Sequence, residues 1–320
     1  MKSLSTWKLI HQSLEQDIPV MLLYVIQSAG SSPGRQGFFM AVNATGSMEG
    51  SLGGGIMEHK FVEMSKVKLQ QAYEGTALHK QIHNTSAGKH RSGMICSGEQ
   101  TILVHRVRGC DNIPVNHIIT CLEQGTNGLM RLLPSGIQFN ETQVPGRDFI
   151  FLQRTEEDWE YEEKIGYKNH LHIIGGGHCA LALSQIMQGL DFYIHIYDNR
   201  RDLNTMDQNG YVHQKHILEE YDALSLHVQS GKNQYVVIMT FGYRTDSNAL
   251  SALIDKDLKY LGLLGSVFKI EKMMNDLRGQ GISEDRIRRI YAPVGIAIKS
   301  QTPEEVAVSI AAEIIKVKNG

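Results

Sequence analysis

The sequence predicts an α/β protein in two parts, a mixed α/β N-terminal domain followed by a parallel-sheet domain. Three observations carry this. A strand, a glycine turn and a helix occupy HLHIIGGGHCALALSQIMQGLDFYIHIYDNR, beginning at His170 rather than at the start of the chain. Further strand-like runs follow at helix-length intervals, the spacing that right-handed crossovers between parallel strands require. The first 108 residues instead mix short apolar runs with one long helical pattern, and 320 residues suffice for two cores.

In chain order, the opening MKSLSTWKLIHQSLEQD reads as an amphipathic helix. Strands are expected at Val20 to Ile26, Phe38 to Val42 and Thr101 to Val107, with a helix from near Ile56 to about Tyr73. From Gly109 to about Tyr167 the pattern loosens, with Pro114, Pro134 and Pro145, and the acidic stretch TEEDWEYEEK reads as a solvated face or linker. The expected division is therefore 1–108 for the N-terminal domain, 109–167 for a connecting segment and 168–320 for the parallel-sheet domain. In the last, strands are expected at Leu171 to Ile174, Phe192 to Tyr197, Tyr235 to Thr240, Tyr260 to Leu264 and Arg289 to Ala292.

The glycine turn carries the first candidate site. Gly175, Gly177 and Ala180 meet the G-x-G-x-x-G/A fingerprint, and Asp198 ends the second strand 23 residues after Gly175. Bare backbone permits a tight turn, the new helix offers free N–H groups to a phosphate, and the acid is placed for ribose hydroxyls. His178 opens the helix. Arg200 and Arg201 suit a 2′-phosphate, or serve as ordinary surface arginines. The same turn also packs helices onto sheets where no nucleotide binds. Further on, Thr240 ends a strand and leads to Asp246, while Gly265 and Ser266 open a helix with Lys269 in its first turn. A cation there opposes the helix dipole unless an anion shares the site. Thr302, Pro303 and Glu305 form a capping box before the last helix.

A net charge of −2 with scattered lysines and arginines excludes the electrostatic footprint of a nucleic-acid or membrane-surface binder. No apolar stretch approaches about 18 residues, and the start lacks a signal-peptide core, so a cytoplasmic location is expected. Four separated cysteines and 14 dispersed histidines signal neither a disulfide framework nor a metal site.

The N-terminal domain has its own bare turn. Gly53, Gly54 and Gly55 run into a helix whose first turn holds Glu58, and Pro33 and Arg35 sit in a polar loop upstream. Such backbone serves positive φ or close approach of a ligand, and a fixed arginine suits a phosphate or carboxylate. Cys96 lies on a Ser-Gly turn before a strand, placed as a thiolate nucleophile, a soft metal ligand or a small buried hydrophobe.

Taken in order, GSSPGRQG, GSLGGGIMEHKFVE, MICSGE, IIGGGHCALAL with YDNR, YLGLLGSVFK, APVGI and TPEEVAVSIAAEI resemble the XdhC/CoxI family, the xanthine dehydrogenase accessory factors. The resemblance spans nearly the whole chain. It implies an N-terminal domain of the family's own type, a Rossmann-like C-terminal domain and a homodimer. It also implies binding of molybdenum cofactor, support of its sulfuration, for which a cysteine desulfurase would be a partner, and delivery to a xanthine dehydrogenase or related molybdenum hydroxylase. On this resemblance Cys96 matches the family's cofactor-holding cysteine. Gly53, Gly54, Gly55, Glu58 and Arg35 would line a pocket for a pterin and its phosphate, and Gly175, Gly177, His178, Asp198, Ser266 and Lys269 are carried as further cofactor-binding residues, with NAD(P) as a possible second ligand.

Several positions depart from the family pattern. Ile56 replaces a cysteine after the glycines, Ser97 a glycine, Phe241 and Gly242 the His and Asp of T-H-D, and Ala297 the acid of L-D-I-G. The reading is a non-catalytic maturation factor. The alternatives are an NAD(P)-dependent oxidoreductase and a nucleotide or redox sensor acting by partner contact.

Overall fold

A computed structural model describes residues 2–82, 98–143 and 146–320, which divide into two compact units, Met1–Gly166 and Tyr167–Gly320. The first unit contains α1 (Lys2–Glu15), β1 (Val20–Ala29), β2 (Phe39–Asn43), β3 (Met48–Gly50), α2 (Gly55–Gln70), β4 (Thr76–Ile82) and β5 (Glu99–Val107). It continues with α3 (Asn112–Gln124), β6 (Gly128–Leu133), β7 (Gly136–Asn140), β8 (Phe149–Gln153) and β9 (Trp159–Ile165).

The order β3-β2-β1-β5-β4 puts β1 at the centre of an antiparallel sheet. Val20 through Ile26 are all fully buried, which explains the unbroken apolar run: one set of alternating side chains must meet each face. Val20, Leu22, Tyr24 and Ile26 join a core with Trp7 and Ile10 of α1 and Val115, Ile118 and Leu122 of α3. Met21, Leu23 and Val25 face Met57, Phe61 and Leu69 of α2.

Residues 109–166, expected as a connecting segment, instead form α3 and a second antiparallel sheet, β7-β6-β9-β8, within the first unit. The acidic stretch expected as a solvated face is largely strand β9, which alternates burial along WEYEEKI. Trp159 and Tyr161 enter the core, and Glu163 is buried because the hydroxyls of Tyr24 and Tyr161 donate to its Oε2 at 2.6 and 2.7 Å. The charge of Glu163 on the buried side hides this period-two burial in the sequence.

The second unit contains β10 (Asn169–Ile174), α4 (His178–Gln188), β11 (Phe192–Asp198), α5 (Asn204–Asp207), β12 (Gln214–Ile217), α6 (Leu224–His227), β13 (Gly231–Ile238) and α7 (Tyr243–Leu253). Then come β14 (Leu258–Leu263), α8 (Val267–Gly279), α9 (Glu284–Ile287), β15 (Ile290–Tyr291) and α10 (Pro303–Asn319). All six strands are parallel in the order β12-β11-β10-β13-β14-β15, so the winding reverses between β10 and β13. At such a reversal the carboxyl ends of the strands leave a ligand crevice. Leu171 and Ile173 pack on α4 and α10, whereas Ile174, Val236 and Ile238 pack under α7 and α8. The Thr302–Glu305 box forms as expected: Glu305 N donates to Thr302 Oγ1, and Thr302 N to Glu305 Oε2, each at 3.3 Å. Edge strand β12 departs from expectation, since QKHI lacks an apolar alternation.

One face of this sheet carries a row of rings. The register sets His172 beside His195 and Tyr197 beside His216. The first pair stacks at 4.6 Å and 6°, the second at 4.6 Å and 11°. Gln234 Oε1 only accepts, so His172 Nε2 donates to it at 2.8 Å while Nδ1 accepts from the Tyr197 hydroxyl at 3.0 Å. Burial, reinforced by neighbouring histidines, pushes His172 down to about 4 and His195 to about 3. Burial and His227 also lower His216. These rings are therefore neutral at physiological pH.

Candidate functional site

In the first unit, three separated sequence segments meet backbone to backbone. A Cβ on Gly34 would collide with the Leu52 carbonyl, and one on Gly53, at φ +112°, with the backbone of Pro33 and Gly34. Only glycine allows the polar loop and the triple-glycine turn to approach so closely. Gly98 closes the third side, because a Cβ there would fall 2.6 Å from Ser31 C and Ser32 N. Gln100, buried on β5, donates from Nε2 to the Gly34 carbonyl at 2.7 Å, and Ser32 Oγ donates to the same oxygen at 3.0 Å. Nothing in the sequence marks Gln100, a polar residue inside a strand whose buried amide fixes the loop.

Glu58 has a definite task in this turn. Its Oε2 accepts from Ser51 Oγ at 2.7 Å, Leu52 N at 2.8 Å and Gly54 N at 2.9 Å. An anion near the first turn of α2 also suits the helix dipole. The carboxylate thus organises the turn from within. Gly54 and Gly55, at φ +77° and +74°, continue the left-handed backbone, and a Cβ on Gly54 would meet nothing within 4 Å. Open space therefore borders the turn there. Arg35 is exposed and donates from Nη1 to Gly30 O at 3.1 Å, within its own loop. Ile56, 58% exposed, and Phe38, 44% exposed, add apolar surface on either side of these segments in the sequence. Cys96 lies outside the described residues.

In the second unit, Gly175 has φ +115°, and a Cβ would collide with the Met239 carbonyl where β10 meets β13. Gly176 is held on both sides: its N–H donates to Asp198 Oδ2 at 2.7 Å, and its carbonyl accepts from Thr205 Oγ1 at 2.5 Å. Gly177 caps α4, a Cβ on it would meet nothing within 4 Å, and His178 beyond it is exposed. Room and free helix N–H groups coincide at this point.

Asp198 is fully buried. Besides Gly176 N, it accepts from Arg200 N and Nε at Oδ1, 2.9 and 2.8 Å, and from Arg200 Nη2 at Oδ2, 2.7 Å. Burial alone would raise its pKa, but the Arg200 guanidinium and the two amides outweigh this and hold it below the usual carboxylate range. The Arg200 guanidinium also lies over the Phe241 ring, 4.9 Å from its centroid. The sequence marks Asp198 and Arg200 individually but not their pairing.

Lys269 finds its anion inside the chain. Its ammonium pairs with Asp246, which is fully buried, and donates to Leu264 O at 3.2 Å. Asp246 Oδ1 accepts from Thr240 N at 2.9 Å and Thr240 Oγ1 at 2.6 Å. Ser266 Oγ accepts from Lys269 N at 3.3 Å and caps α8. These residues therefore tie together the ends of β13 and β14. Among the described residues no group of three His, Cys, Asp or Glu is placed to hold a metal ion, and no helix is long and apolar enough to cross a membrane.

Known proteins share this architecture. Residues 13–76 match the XdhC and CoxI family and residues 171–314 the XdhC Rossmann domain. The Escherichia coli (strain K12) protein YqeB is 27% identical over 309 residues, covering 95% of this chain but 44% of that protein, so the chain spans less than half of that relative's length. A Bacillus subtilis (strain 168) protein named as a probable xanthine dehydrogenase component is 22% identical over 331 residues, covering 95% of each. The crystal structure of a xanthine dehydrogenase from Bacillus halodurans superposes with a TM-score of 0.72 at 21% identity, covering 100% of this chain and 96% of that one, which establishes a shared fold. The chain belongs to the XdhC/CoxI family, with an XdhC/CoxI-type N-terminal domain and an XdhC Rossmann domain.

Proposed function

We infer that this chain is an accessory protein for a molybdenum enzyme: it binds molybdenum cofactor as cargo, supports its sulfuration and delivers it to a xanthine dehydrogenase or related molybdenum hydroxylase. Family membership and the name of the Bacillus subtilis relative support the enzyme class. The observation that carries the binding site is the convergence of Gly34, Gly53 and Gly98 into one bare-backbone junction with open space at Gly54. Such a junction is costly in a chain that does not need it, since glycine loses more freedom on folding than other residues.

The residues suit a flat, phosphate-bearing cargo. Cys96 precedes Gly98 by two residues in the sequence. The thiol at Cys96 would be the soft ligand for the metal, and the exposed Arg35 guanidinium the partner of the phosphate. Glu58 serves the cargo indirectly, by holding the turn open around it. Two partners accompany the reading: a second copy of the chain and a cysteine desulfurase as the source of sulfur. The test is reconstitution. A cofactor-free molybdenum hydroxylase supplied with molybdenum cofactor should regain activity several-fold faster when this chain is present. An equal rate with and without the chain would rule out delivery.

A further inference from the structure

The Rossmann crevice and the acid at the end of β11 imply a dinucleotide whose ribose diol the acid receives. The residues present do not fit that use. A carboxylate offers about four acceptor positions. Those of Asp198 are filled by Gly176 N, Arg200 N, Arg200 Nε and Arg200 Nη2. A free diol arriving there would find no acceptor and would face a cation occupying the place of its hydroxyls.

We propose that Arg200 makes the crevice selective for nucleotides that carry a phosphate on the adenosine ribose and turns away those with a free 2′,3′-diol. Three features support the positive half. The Arg200 side chain remains 38% exposed although its Nε and Nη2 are clamped to a fully buried acid. A phosphate there forms charge-assisted bonds that a hydroxyl does not. Phe241, in the position of the family's histidine, is 63% exposed under the same guanidinium, and together they offer a flat surface for a purine ring. At Gly177 a Cβ would meet nothing, which leaves room for a second phosphate at the start of α4. Arg201 is exposed and makes no part of the clamp.

The proposal concerns a nucleotide site in the second unit and stands apart from the cargo reading, so each fails or survives on its own measurement. The test is titration calorimetry of the full chain with adenosine 5′-monophosphate and adenosine 2′,5′-bisphosphate, which differ by the 2′-phosphate alone. The bisphosphate should bind about tenfold tighter or better. Arg200→Ala should abolish or reverse that preference, because the uncovered Asp198 repels phosphate and accepts a diol, whereas Arg201→Ala should retain it. Arg200→Gln, which keeps a hydrogen bond to Asp198, provides the same comparison if the alanine variant melts early. Equal affinities in the wild type, a preference that survives both Arg200 substitutions, a preference lost in Arg201→Ala, or no binding of either nucleotide to any of these proteins would overturn the proposal.

Discussion

Asp198→Ala is expected to destabilise the second unit by about 3 kcal/mol, lowering its melting temperature by roughly 6–12 °C. The substitution leaves the Gly176 amide without its acceptor, releases Arg200 from two side-chain bonds and opens a small void where the buried carboxylate stood. Scanning calorimetry of the full chain reads the effect as a shift of one transition. Asp198→Asn, which retains an acceptor for Gly176 N but not the ion pair, should lose about half as much. A melting curve unchanged by Asp198→Ala would mean that the turn is held by backbone packing alone. The pair of variants also separates two roles that fold analogy merges: here the acid holds the glycine turn, and on the proposal above Arg200 takes its place toward a ligand.

Acidification is expected to weaken the same unit before it titrates most carboxylates. The folded-state pKa of His172 lies near 4 and that of His195 near 3, both below the value of about 6.5 in an unfolded chain. Between those values the unfolded chain binds more protons, so stability is complete above pH ~6.5 and falls as pH drops toward the folded values. At pH ~4.5 the contribution of His172 alone has fallen by about 2–3 kcal/mol, with His195 and His216 adding loss in the same direction. Asp198 acts in the same direction but in a lower window: its pKa is also lowered on folding, so its contribution is intact above the ordinary carboxylate range and is lost as pH falls below it. Urea midpoints measured from pH 7.5 to 4.5 should therefore decline most steeply below pH ~6.5. His195→Phe, which preserves a stacked ring and removes a titrating one, should flatten the decline. A flat profile in the wild type would show that the row is hydrated enough to protonate in place.

What the sequence reveals of this molecule is whatever is written locally. The turn at Gly175, the helix after it and the Thr302 box are legible because glycine, an apolar period and a cap lie within a few residues of one another. Even the ring row leaves a trace, since HLHII and YIHIY place a ring at every second position, the period of one sheet face. Other features depend on partners that sequence separates or disguises. Lys269 lies 23 residues from Asp246, so its local setting points outward to an unknown anion when the anion is internal. Glu58 and Asp198 look like ligand-binding acids beside glycine turns, yet each directs its oxygens at the turn itself, a matter of rotamer and register. Segment 109–166 conceals a sheet because β9 exposes charge on one face and buries Trp159, Tyr161 and Glu163 on the other.

We propose a cargo site framed by the junction of Gly34, Gly53 and Gly98 and served by Cys96. It is tested most directly by mixing the purified chain with isolated molybdenum cofactor and measuring the molybdenum and pterin that remain bound after gel filtration. Molybdenum and pterin should stay with the wild type in a common ratio and be largely lost from a folded Cys96→Ser variant. No retention by the wild type, or equal retention by the serine variant, would contradict it.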